Sequence, residues 1–370
     1  MTLSIGKILT YKLFWLNSYV LLLLIIGTCD FRGLWIPRWS IQDNQKIFEV
    51  IDNKFNHIFL QVFGNGEAYY PSNIAPTRIN DDGWLKEFLH NAHSKGIKVS
   101  AWINVFYSWG YGPRIENIRH PINFASDWYV FDRNKRSICD YGIDELKKLK
   151  IEGYYLAPAN PSVRIYLLNV IEEILDRYDF DGIHLDYIRY PDENFVYDIY
   201  LRTKFQRRYF YDPLELESDS LRLRLGINGS EELNRIWWQF ISDDITEFLI
   251  QIRGRIKSKK PDCLLSAAVK PDYSIARVEF YQDWLTWVNN DYIDFVCLMA
   301  YSKNIEGIIN KTLNNVKNHK KIMIGLGIYN LNLETIKKQI ELIRKTQFSG
   351  FVYFSYPQLK ENKRYLKIMD

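Results

Sequence analysis

At 370 residues the chain can hold one large domain or two smaller ones, and 47% hydrophobic residues supply a sizeable core. The net charge of +4 comes from 48 basic against 44 acidic side chains with no dense basic block, which excludes the electrostatic footprint of a nucleic-acid binder. Aromatic residues make up 16% of the chain, with 11 Trp and 26 Tyr, enough to stack on the flat faces of a ligand such as a sugar as well as to fill a core.

The first 29 residues stand apart. Lys7 and Lys12 precede an apolar run over 19–26, and Gly27-Thr28-Cys29 follows, the layout of a secretory signal. Ile26-Gly27-Thr28-Cys29 resembles a bacterial lipobox, with Thr28 where Gly, Ala or Ser is usual. Three readings follow: Cys29 is lipidated and attaches the protein to a membrane, the signal is simply cleaved, or it stays as an anchor. The apolar stretch 13–26, interrupted by Asn17 and Ser18, is short for a membrane span. All three readings place residues 30–370 outside the cytoplasm, in the cell envelope. Beyond Cys29 only Cys139, Cys263 and Cys297 remain, the last two in strand-like runs, so buried thiols are expected rather than a disulfide framework. No cysteine and histidine spacing suggests zinc, no cofactor motif stands out, and a monomer is expected.

From residue 30 onward, short apolar runs alternate with amphipathic stretches, the pattern of parallel strands crossed over by helices. The first strand is expected over 32–37, with Arg32 at its start and Trp35 inside it, and the second over 57–63, with Gln61 near its end. A glycine-rich turn, Gly64-Asn65-Gly66-Glu67-Ala68-Tyr69-Tyr70, follows and lets backbone approach a ligand. A helix over 83–95 leads to a third strand over 98–104 carrying Trp102 and Asn104. After a connection of about 55 residues, too long for a plain turn, come a helix over 162–178, capped at Ser162, and a fourth strand over 182–188. In that strand His184 and Asp186 share one face, and Arg189-Tyr190-Pro191 ends it. A second long connection, about 75 residues, includes a helix over 236–257. Strands over 264–269, 295–300, 322–328 and 350–354 complete the count, with helices over 305–318 and 333–346, the latter capped by Asn332. Eight such units make a (β/α)8 TIM barrel with long loops after strands 3 and 4, a single domain over 30–370.

In such a barrel the chemistry sits just past the C-terminal ends of strands, which sorts the carboxylates. Asp181 and Asp294 begin strands and are expected to be structural. Asp186 ends a strand and Glu67 follows one, so these two are the candidates for catalysis, with Asp272 and Asp283 in reserve. Glycoside hydrolysis needs two carboxylates flanking the scissile bond. Asp186 is expected to be the nucleophile or base, kept ionised by Arg189 or an imidazolium at His184. Glu67 is expected to be the proton donor if burial raises it, or otherwise to bond its own turn or a sugar hydroxyl. Gln61 and Asn104 can bond sugar hydroxyls; Trp35, Trp102, Tyr301 and Tyr356 can stack. Lys270 ends an apolar strand and is expected to meet substrate or a carboxylate, Asp283 to help bind substrate, and Arg32 to do so or to form an ion pair on the barrel floor.

Several motifs together resemble the glycoside hydrolase-like 10 family of bacterial barrel proteins: Arg32-Gly33-Leu34-Trp35, the Gly64 turn with Glu67 and Tyr70, Ala101-Trp102-Ile103-Asn104, Tyr155-Leu156-Ala157-Pro158-Ala159-Asn160-Pro161, the run Asp181 to Pro191, and Tyr281-Gln282-Asp283-Trp284. The resemblance covers nearly all of the mature chain and implies glycan hydrolysis, in some members of peptidoglycan strands lacking stem peptides. Many members carry two successive aspartates where this chain has Asp186-Tyr187; Tyr187 is expected to point away from Asp186. Leu298-Met299-Ala300-Tyr301 also looks like a strand of the family 18 chitinases, but Ile188 stands where their proton-donating glutamate belongs. The alternative from another class is a carbohydrate-binding lipoprotein on a barrel that has lost its acid. A deacetylase or esterase would need a metal triad or a serine elbow, and neither motif appears.

Overall fold

Eight strands pair in parallel and close on themselves. The structure, a computed structural model, describes residues 30–113 and 115–369; the secretory segment and Cys29 lie outside the described residues. The barrel strands are β1 (Phe31–Ile36), β2 (His57–Gly64), β3 (Lys98–Asn104), β4 (Gly182–Asp186), β5 (Leu264–Val269), β6 (Phe295–Met299), β7 (Ile322–Gly327) and β8 (Gly350–Phe354). Each pairs with its sequence neighbours, and β1 pairs with both β2 and β8, so no barrel edge is left open. All eight expected strands form, and the (β/α)8 architecture holds. The largest boundary difference is at β4, which stops at Asp186 because Tyr187 takes a left-handed backbone (φ 54°).

Strand alternation sends one set of side chains outward under the helices and the other into the barrel. The inward set contains a buried cluster of Trp35, Phe59, Trp102, Ala268, Phe295, Cys297, Met323 and Val352. Gly325 makes room for the largest of them: a Cβ there would lie 2.9 Å from the Trp35 ring. Two polar pairs cross this apolar filling, His57 with Ser100 at 2.8 Å and His184 with Ser266 at 2.9 Å. At the floor, the carboxylates that begin strands are structural, as expected. Asp181 accepts from the Val99 amide at 2.8 Å and meets His93, and Asp294 accepts from the Leu265 amide at 2.7 Å and pairs with Arg253. Cys263 and Cys297 are buried free thiols, and Cys139 is half-buried.

The helices follow the amphipathic pattern with two changes. Asn160, not Ser162, caps the helix Pro161–Arg177 by accepting from the Ser162 amide at 2.9 Å, and Pro161 takes the first turn, where its missing N–H costs nothing. The helix expected over 236–257 runs from Asp219 to Lys259, 41 residues broken at Gly226 (φ 69°). Both long connections leave the C-terminal ends of their strands. In the one after β3, Tyr107–Trp109 pairs antiparallel with Tyr154–Tyr155, which folds the insertion back over the barrel mouth. No helix among the described residues is long and apolar enough to cross a membrane.

Candidate active site

The mouth of the barrel holds a cavity of about 570 Å³ whose wall includes Trp35, Gln61, Trp102, Asn104, Asp186, Arg189, Lys270 and Tyr301. All of these are residues the sequence singles out. Their positions follow from strand parity: Gln61, Trp102, Asn104 and Asp186 lie on the inward faces of β2, β3 and β4, and Lys270 and Tyr301 continue the inward faces of β5 and β6.

Asp186 is almost fully buried, and both its oxygens are held. The Tyr187 amide donates to Oδ1 at 2.8 Å and the Trp102 indole donates to Oδ2 at 3.2 Å. The left-handed turn at Tyr187 brings the first donor into place by folding its N–H back on the preceding side chain. The same turn breaks the alternation that would have sent Tyr187 away from Asp186. Its ring lines the cavity instead, stacked on Tyr107 at 4.6 Å with the Arg189 guanidinium 4.8 Å from its centre. Burial pushes the Asp186 carboxyl up to about 6, against the pull of Arg189.

His184 lies deeper than Asp186 and does not line the cavity. Its Nε2 accepts from the Trp35 indole at 3.0 Å, so Nδ1 carries the proton and donates to Ser266 Oγ at 2.9 Å. Burial, with His57 adding to it, holds the ring well below the ordinary histidine range. The expected imidazolium is therefore a neutral ring that orients Trp35, and Arg189 is left as the cation near Asp186.

Glu67 is raised by burial, as expected, with Arg78 and Arg38 opposing. It sits in a two-residue strand paired back onto β2, however, and is not among the residues of the cavity wall. From the same turn the wall takes Asn65, whose Oδ1 is buried without a partner while its carbonyl accepts from His120 at 2.8 Å.

The second carboxylate of the cavity is Glu152, which sequence reasoning missed. It sits just before the Tyr154–Tyr155 strand of the β3 insertion, and its Oε2 accepts from Arg189 at 2.6 Å and from the Tyr155 hydroxyl at 3.0 Å. Burial alone would raise it, but Arg189 and Lys270 outweigh that and hold it below the usual carboxylate range. Its side chain is 44% exposed, whereas that of Arg189 is 4% exposed. Trp39, 59% exposed with Arg38 over its ring, is a further wall residue that no strand pattern marks.

Three expected binding residues lie elsewhere. Arg32 takes the other role expected of it, on the barrel floor where β1 begins, donating from Nε to the Lys54 carbonyl at 2.7 Å and pairing with Asp30. Asp283 caps the helix Trp284–Asn289 through the Thr286 amide at 3.3 Å. Tyr356 is fully buried in the first turn of the helix Tyr356–Glu361, outside the cavity wall. The reserve carboxylate Asp272 is likewise a cap, bonded to the Ser274 amide and to Lys311. Ile188, in the position of the chitinase glutamate, is buried in the core.

The glycosyl hydrolase-like 10 profile matches residues 28–341. Among curated relatives, glycosyl hydrolase YngK of Bacillus subtilis is 21% identical over 90% of this chain, and glycosyl hydrolase DigH of Escherichia coli O6:H1 is 25% identical over 66% of it. The chain spans 66% of the first and 54% of the second, less than two thirds of either. Among solved structures, the PgaB (BpsB) glycoside hydrolase domain from Bordetella bronchiseptica superimposes with a TM-score of 0.70 at 16% identity, covering 92% of this chain and 98% of that one. With a family match over most of its length, the chain belongs to the glycosyl hydrolase-like 10 family.

Proposed function

We propose that the protein is a glycoside hydrolase acting on a bacterial cell-wall polysaccharide, with peptide-free peptidoglycan strands as its substrate. The observation that carries the reading is a pair of carboxyls on one cavity wall whose environments push them apart: Asp186 up to about 6, and Glu152 below its ordinary value. Asp186 in its protonated form donates to the glycosidic oxygen as the C–O bond breaks. Glu152 stays charged and stabilises the positive charge that develops on the sugar ring until water adds to the anomeric carbon and gives a proton back to the Asp186 carboxylate. This reverses the role first expected of Asp186, because His184 is neutral and burial outweighs the pull of Arg189. Trp39, Trp102 and Tyr301 offer faces for sugar rings, and Gln61 and Asn104, bonded to each other at 3.0 Å, offer amides to hydroxyls. The protein works outside the cytoplasm, held at a membrane by a lipid on Cys29.

Mass spectrometry of the products released from peptide-free strands tests the reading. Wild type is expected to release fragments, while Asp186→Asn and Glu152→Gln each lose at least about a hundredfold in rate. Strands that bind but yield no fragments, with Asp186→Asn behaving like wild type, would leave a carbohydrate-binding protein instead.

A further inference from the structure

Five charged side chains line the mouth cavity among the described residues: Arg38, Glu152, Asp186, Arg189 and Lys270. Arg189 and Glu152 neutralise each other at 2.6 Å. What remains is one positive charge in excess when Asp186 is ionised, and two when it is protonated. The excess comes from Lys270 and Arg38. Lys270 holds its ammonium 4.4 Å from the centre of the Phe280 ring, and Arg38 lies over Trp39 and donates to Gln61 at 3.2 Å. Neither has a carboxylate at ion-pair distance among the described residues. Lys270 follows β5, next to the strand that carries Asp186. Arg38 follows β1, four strands away and so across the mouth.

A half-buried ammonium with carboxylates near it but none in contact is incompletely paired, and a ligand anion that makes the contact is favoured there over a neutral group of the same shape. We infer that Lys270, with Arg38 opposite, recognises the carboxylates of the acidic glycan proposed above. The inference rests on the hydrolase reading of this cavity and adds the property by which the glycan is selected. A neutral or amino-sugar polymer would leave the excess charge uncompensated or increase it. The rival role for Lys270 is to keep Glu152 charged, and that role is indifferent to carboxylates on the ligand.

Calorimetric titration separates the two. The probes are oligosaccharides of alternating N-acetylglucosamine and N-acetylmuramic acid, and the same oligosaccharides with their carboxyls reduced to alcohols. They are titrated into the full-length Asp186→Asn protein so that the ligand persists. The acidic form is expected to bind about tenfold more tightly than the reduced one at low salt. Lys270→Gln added to this protein should remove most of that difference while leaving the reduced form's affinity unchanged, and Lys270→Arg should restore much of it. Equal affinity for the two forms, binding of neither, or an equal loss for both on Lys270→Gln would overturn the inference. Turnover of the same probes by wild type keeps the two readings apart. An acidic glycan bound but never cut defeats only the hydrolase reading, and equal kcat/KM for both forms defeats only this one.

Discussion

Asp186 sits where two demands conflict. A carboxyl sealed into an apolar site resists ionisation, and the donors Trp102 and Tyr187 moderate that without removing it. The sign of the effect on stability follows. With the carboxyl raised from 3.8 to about 6, the folded protein between those pH values keeps a proton that the unfolded chain has lost. Stability from this group is therefore full below the unfolded pKa and declines as pH rises through 6, by about 3 kcal/mol in total. Asparagine does not titrate. The stability of Asp186→Asn relative to wild type, from urea unfolding, should rise by about that amount between pH 4 and pH 7. A difference constant across the range would mean that the carboxyl is not raised. The donors explain why only the change with pH is informative: an asparagine amide facing one of them loses a hydrogen bond at every pH.

At the scale of elements, the site is where β4 ends and where the β3 insertion lands on it. The first was legible in the sequence. Alternation along residues 182–186 assigns His184 and Asp186 to one face, and position in the chain assigns that face to the barrel mouth. What alternation could not convey was depth. The same face put His184 one step below the cavity, among aromatic rings that keep it neutral. Nor could it convey the turn at Tyr187, since a left-handed residue other than glycine leaves no compositional mark.

The landing of the insertion was illegible for a different reason. Glu152 reaches the cavity through the pairing of Tyr107–Trp109 with Tyr154–Tyr155, segments separated by more than forty residues and too short to stand out as strands. Glu67, by contrast, lies close in sequence to a strand end, a proximity that chain order does register. Gly153 marks the pairing, since a Cβ there would come within 2.3 Å of the Trp109 carbonyl. Gly153→Ala should therefore displace Glu152 and lower kcat/KM at least tenfold while the barrel still unfolds cooperatively. An alanine variant with full activity would show that Glu152 does not act in the site.

For the whole molecule, the barrel divides labour between its two ends. Carboxylates that begin strands tie one strand to the next, and those that end strands or reach in from insertions face the cavity. Asp181 is the clearest floor case, bonded to the Val99 amide and to His93. Asp181→Ala should cost about 1–3 kcal/mol in urea unfolding by leaving a partly buried amide without a partner, and should leave kcat/KM within twofold. The closed sheet was legible because eight apolar runs, each separated by a helix-length stretch, have few other ways to bury both faces. Arg32 takes the floor alternative and Asp283 is a helix cap rather than a binding residue, because the order of elements does not say which end of the barrel each side chain meets.

In the proposed mechanism the protonated form of Asp186 is the proton donor, and the pH dependence of kcat/KM on peptide-free peptidoglycan strands reports that form directly. Between pH 4 and pH 8 the profile should be highest below about 6 and fall tenfold for each unit above it, with Asp186→Asn flat and at least about a hundredfold lower throughout. A wild-type profile that climbs through pH 6 and stays high to pH 8 would contradict it, because Asp186 would then act in its ionised form.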